Sequence, residues 1–292
     1  MIEFLTVVAI VAVLLALLLS AVQRTRESAS RLQCQSHLMQ LSLAVHSCND
    51  SRGRLPPAGG MMSLSTQGGP PLTGSGQYFL LPYVEEHIRE QRLADEAPIR
   101  LSCGCTQHAA VKFAKVVSSL NDCILHPEAR TPRLLRCPSE TKSTDGTLVA
   151  ADGSILGTTP YVLNLQVFGN HQLNSSPASI ERSMPDGTSN TAILAERSTA
   201  CRGVQISWLA DEPDPGSAVF GFDDPRTGRL WLQAPQIRPT LNECKPYSVQ
   251  SQHAGGLIIG FGDGSVRVLR PSIEVDTWRR IILPADGEVL GD

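Results

Sequence analysis

An excess of charge of one sign is missing from this chain. Its 25 Lys and Arg stand against 28 Asp and Glu, a formal net charge of -3, so no basic field invites a nucleic-acid backbone. Aromatics are scarce at 5%, while 24 Gly and 20 Pro suit a loop-rich, strand-rich globular part. There is no nucleophile elbow, Walker loop or zinc-protease motif, and no internal repeat. Nor does a basic residue precede the apolar run near the start of the chain. That run exceeds the roughly 7–15 apolar residues of a cleavable signal peptide, so it reads as an anchor.

The run extends from Phe4 to Val22 without a charge. As a helix it covers roughly 28 Å, close to the thickness of a bilayer's hydrocarbon core. A carboxylate, Glu3, stands at its head. Either it sits among lipid headgroups and favours the helix N-terminal dipole, or it pairs with the N-terminal amine of a neighbouring subunit and fixes the register of an assembly.

From Arg24 to about Asn49 no Gly or Pro interrupts the chain. Cys34, Leu38, Leu41, Val45 and Cys48 recur at helical steps, which predicts a stripe packed on a globular head. The segment Asn49–Gly53 supplies a stop, and Leu55-Pro56-Pro57 cannot continue the helix. The chain thus divides into a membrane segment (1–22), an amphipathic continuation (23–52) and a head (53–292). In the head, Tyr78 to His87 and on to about Leu93, and Thr106 to Leu125, read as short apolar or helical elements. Tyr161–Asn164, Thr191–Ala195, Val204–Trp208 and Leu257–Phe261 read as strands between turn signals. The triplet Gly262-Asp263-Gly264 makes a hairpin with Ser265–Leu269, and Ile273–Leu283 is a helical or mixed ending.

Eight cysteines permit disulfides outside the cytoplasm, with no connectivity legible from spacing. Cys103, Cys105, His108, Cys123 and His126 are the one constellation resembling a metal site. Their spacing matches no standard finger, and disulfides or buried thiols compete with that reading. Asp211, Glu212, Asp214, Asp223 and Asp224 crowd a Pro/Gly loop that reads as solvated rather than as a calcium site.

Together these pieces resemble a bacterial family with a prepilin-type N-terminal methylation segment and a head of unknown function ending in a His-x9-Asp-Gly signature. The likeness rests on Ile2-Glu3 and the run through Gln23, on Arg31–Cys34, Leu43–His46, Leu55–Pro57, Leu81–Tyr83 and Cys137–Ser139. Its most specific parts are Asp186, Gly187, Thr188, Ser189, Asn190 and Thr191 with Glu196, and Ser251 to Arg267, which holds His253, Asp263 and Gly264. The resemblance implies an α+β fold: a pilin-like transmembrane helix packed on an antiparallel sheet with loop-rich insertions.

It further implies a non-catalytic, single-pass, pseudopilin-like envelope protein in a secretion- or pilus-like assembly. The partners would be the bilayer and other pilin-like subunits, with no nucleic acid and no cofactor. The alternatives are a monomeric anchored protein whose head recognises a ligand, and an anchored enzyme using the Cys/His cluster. Met1 stands where the family's Leu before Ile-Glu would be, so the sequence as written lacks the cleavage and methylation site. Ser20 replaces a Pro, which leaves the helix straighter. Arg24 and Arg26 by themselves favour a cytoplasmic head; the resemblance favours an extracytoplasmic one, and we follow it.

Nine residues separate His253 from Asp263, roughly 30 Å along an extended strand, so the two are not expected to act as a direct couple. The reading is structural. His253 caps a Gly-rich loop, Asp263-Gly264 make the turn, and Asp186 to Asn190 bond side chain to backbone around another.

Overall fold

The computed structural model describes residues 2–62, 72–84, 131–143, 146–149, 155–171, 178–208, 210, 216–223 and 230–288. The expected helix over 106–125, and the element's continuation past Val84 to about Leu93, lie outside the described residues.

One helix, Ile2–Arg52, runs for 51 residues, about 75 Å at 1.5 Å per residue. It ends where the sequence predicts. Gly53 takes φ +65° and its N–H donates to the Asn49 carbonyl at 2.7 Å, a left-handed cap that glycine adopts without strain. The first half, including Ile2, Phe4, Leu14 and Leu19, is exposed on every side. The second half buries Cys34, Leu38, Leu41, Ser42, Ala44, Val45 and Cys48, the predicted stripe with two small residues added.

The strands are β1 (Gly59–Met62), β2 (Leu72–Ser75), β3 (Thr147–Val149), β4 (Ile155–Gly157), β5 (Tyr161–Asn164), β6 (Asn170–His171), β7 (Ala192–Glu196), β8 (Ala200–Cys201), β9 (Val204–Gln205), β10 (Val219–Phe220), β11 (Gln236–Ile237), β12 (Gln250–Ser251), β13 (Leu257–Phe261) and β14 (Val266–Leu269). Five form the central sheet, in the order β10-β5-β7-β13-β14. The expectation of an antiparallel sheet holds for β5 through β14 and is corrected at one edge, where β10 joins β5 in parallel. Two smaller pairings, β1 with β6 and β11 with β12, are parallel too. Parallel neighbours need crossover connections, and these two-residue strands at the ends of long loops are too short to announce their direction. The expected strand Val204–Trp208 shrinks to β9 and a bridge at Ser207.

β5, β7 and β13 are buried on both faces, which explains their near-continuous apolar runs. Alternate residues feed two cores. Tyr161, Leu163 and Ile258 join Leu38, Leu41 and Val45 of the long helix. Val162, Leu257, Ile259 and Phe261 join Trp278, Ile281 and Ile282 of the C-terminal helix Val275–Ile282. The sheet is thus sandwiched between two helices, an α+β arrangement. A Cβ on Gly260 of β13 would sit 3.2 Å from both Ser42 Oγ and Leu194 Cβ, so small residues set how closely the long helix approaches the sheet.

Candidate functional site

The end of the docked stripe nearer the apolar run carries the most unusual chemistry among the described residues. Glu27 lies two helical turns before Cys34, on the same face. Cys34 is disulfide-bonded to Cys137, with Cα atoms 5.6 Å apart. The loop Ser251–Gly256 leads into β13 and turns His253 inward, where it is fully buried. Its Nδ1 meets Glu27 Oε1 at 3.0 Å, and its Nε2 meets Glu196 Oε1, at the end of β7, at 3.4 Å. Cys137 Sγ lies 3.5 Å from the same Nε2. Glu196, only 3% exposed, is oriented in turn: its Oε2 accepts from the Ser251 hydroxyl at 2.8 Å and the Ile258 N–H at 3.4 Å. Glu27 Oε2 accepts from Ser139 at 3.2 Å.

Burial opposes the charged imidazole. The hydrogen bond and charge of Glu196, followed by those of Glu27, outweigh that penalty and raise the His253 pKa above its ordinary value. His253, held between two carboxylates, therefore ties the helix, β7 and the β13 loop together, beside a disulfide joining the helix to Cys137.

Four segments far apart in sequence meet here, around residues 27–34, 137–139, 196 and 251–258. The chain belongs to the family described as "Protein of unknown function (DUF1559)". The match covers residues 23–276, so it begins directly after the apolar run. No curated protein and no solved structure matches the chain.

The other residues singled out in the sequence of this DUF1559 chain gather elsewhere, at the far end of β13. Asp263 and Gly264 form the hairpin turn. Asp263 Oδ1 accepts from Ser265 N at 2.9 Å, Gly264 has φ +85°, and the Asp263 N–H donates to the Thr188 carbonyl at 3.1 Å. In the facing turn, Asn190 Nδ2 donates to the Asp186 carbonyl at 2.8 Å and Thr191 Oγ1 to the Gly187 carbonyl at 3.1 Å. Asp186 also accepts the N–H groups of Asp286 and Gly287 at 2.7 and 3.1 Å. Gly187 has φ +105°, and Ser189 lies in the same turn. His253 and Asp263 thus stand at opposite ends of β13.

His253 does more than cap the loop. Its carbonyl does accept from Gly256 N at 3.3 Å, but its ring enters the ionic cluster. Glu27 is the residue that sequence reasoning missed. Its place seven positions before Cys34 was the available signal, obscured by the two arginines beside it. Glu3 lies exposed in the first turn of the long helix. Cys103, Cys105, His108, Cys123 and His126 lie outside the described residues, as do Asp211, Glu212, Asp214 and Asp224; Asp223 accepts from Gln166 Nε2 at 3.0 Å. Cys201 and Cys244 form a second disulfide. Cys48 is the free, buried cysteine among the described residues, and burial raises its thiol pKa.

Proposed function

We propose that this protein is a non-catalytic, single-pass envelope protein that serves as a structural or accessory subunit of a pseudopilin-like secretion or pilus assembly. The observation that carries this reading is the division of one helix into an apolar half exposed all round and a half docked on the head. By length and composition the first half is suited to crossing a membrane. An uninterrupted helix through Arg52 couples whatever that half packs against to the position of the head. Two disulfides, one tying the helix to the head and one within the head, favour an extracytoplasmic location, where thiols are not kept reduced. Both ring nitrogens of His253 are engaged by carboxylates in a buried setting, which leaves neither free for acid–base work and supports a non-catalytic role.

In the assembly, Glu3 pairs with a neighbouring subunit's N-terminal amine inside the bilayer. Disulfide cross-linking between cysteines placed in the first helical turns of two copies tests this. Glu3→Ala abolishes the cross-link on this account; equal cross-linking with and without Glu3 rejects it.

A second reading, a monomeric anchored protein with a ligand-recognition head, is favoured by a cleft of about 320 Å³ just past the apolar run. Gln23, Arg26, Glu27, Ser139, Arg238 and Gln252 are among its lining residues. That reading predicts a monomer in mild detergent and ligand-dependent thermal stabilisation.

A further inference from the structure

We propose that Cys34, Cys137, Glu196 and His253 form a binding site for a single zinc-class divalent ion when the disulfide between the two cysteines is reduced. All four residues are buried, and one ligand atom from each lies within 4.8 Å of the others. A tetrahedral zinc with bonds of about 2.0–2.3 Å spaces its ligand atoms roughly 3.3–3.8 Å apart. His253 Nε2 already stands 3.5 Å from Cys137 Sγ and 3.4 Å from Glu196 Oε1. The sulfurs reach the same spacing once the bond between them is gone.

The surroundings orient these ligands as a metal requires. Metal-bound histidines characteristically donate their second ring N–H to a carboxylate, which fixes the tautomer; His253 Nδ1 faces Glu27 Oε1 at 3.0 Å. Glu196 has one oxygen held by Ser251 Oγ and Ile258 N, which leaves Oε1 directed at the site. The cleft that contains Glu27, Pro138 and Ser139 adjoins Cys137 and offers an entry path.

The two states exclude one another. A dithiol reductant attacks the Cys34–Cys137 bond, forms a mixed disulfide, and leaves as its own disulfide once its second thiol resolves the intermediate. Two electrons pass to the cysteine pair, and Cys34 and Cys137 become thiols. Zinc then displaces both thiol protons, and Nε2 of His253 binds it as the neutral imidazole nitrogen, with the ring proton on Nδ1 facing Glu27. Oxidation of the pair by a disulfide of the same class expels the ion.

The test uses the full chain in detergent with Cys103, Cys105 and Cys123 replaced by Ser, reduced and then given zinc alone in competition with a chromophoric chelator. The expected result is one zinc per chain in the reduced protein and none in the oxidised protein. Cobalt in its place gives a thiolate-to-metal charge-transfer band. Zinc also shields Cys34 and Cys137 from alkylation while reduced Cys201 and Cys244 label freely, as mapped by mass spectrometry. Glu27→Gln, which leaves every ligand in place, weakens zinc by roughly 10–100-fold. The proposal is overturned if the reduced protein retains no zinc, if zinc leaves Cys34 and Cys137 open to alkylation, or if Cys34→Ser/Cys137→Ser binds as tightly as its parent.

Discussion

The two halves of the long helix are built from similar residues and meet opposite surroundings. Leu14 and Leu41 belong to the same unbroken helix, yet Leu14 is 54% exposed and Leu41 1%. Up to Val22 apolar residues occupy every face, and among the described residues none of the head covers them. Beyond Glu27 one stripe is buried while Leu32, Met39 and Leu43 stay exposed on another face, and polar anchors punctuate the buried stripe: Glu27 on His253, Cys34 on Cys137, and His37, whose Nδ1 lies 2.9 Å from the Arg136 carbonyl. Near the end, Asn49 accepts from Ile180 N at 3.2 Å and Arg52 Nε donates to Tyr83 at 2.8 Å. An all-round apolar surface accepts any rotation about the helix axis in lipid. A stripe with charged and covalent anchors accepts one.

The difference is broken most severely at His253. His253→Ala leaves Glu196 buried without its cationic partner and costs about 3–5 kcal/mol, read by denaturant or thermal unfolding of the full chain in detergent. One substitution made in both halves sharpens it next. Leu41→Ala opens a cavity under the helix and costs about 2–5 kcal/mol, whereas Leu14→Ala changes the head's stability by less than about 0.5 kcal/mol. Asp186→Ala removes two hydrogen bonds that secure the chain near Asp286 and costs roughly 1–3 kcal/mol, without loosening the helix.

The smallest effect is that of pH. The folded-state pKa of His253 is raised, so the imidazolium's contribution is fully present below the ordinary histidine value of about 6.5. It is lost as pH rises through the raised value. The gap in melting temperature between the protein and His253→Gln should therefore narrow with rising pH; solvent screens Glu27, which is 44% exposed, and keeps the change modest. A gap that widens instead would contradict the assigned charge state.

Much of the scaffold was legible because it follows local rules. The spacing of Cys34, Leu38, Leu41, Val45 and Cys48 announced the docked face, Gly53 its end, and Gly262-Asp263-Gly264 the hairpin. The candidate site was legible only in pieces. Glu196 and His253 stood out as signature residues, and Cys34 and Cys137 as parts of family motifs. Their meeting depends on strand order and on a helix crossing the sheet, and His253 and Glu27 are 226 positions apart. The parallel pairing of β10 was likewise hidden, because two residues at the end of a loop carry no directional pattern.

The most direct test of the two-surroundings account is site-directed spin labelling at successive positions from 5 to 48, in vesicles at high lipid-to-protein ratio. Accessibility to oxygen and to a water-soluble nickel chelate is measured at each. The account predicts high oxygen and low nickel accessibility all round the helix within residues 5–19, then a helical periodicity with minima for both reagents at 34, 38, 41 and 45. Nickel accessibility throughout the first stretch, or no periodicity in the second, would contradict it.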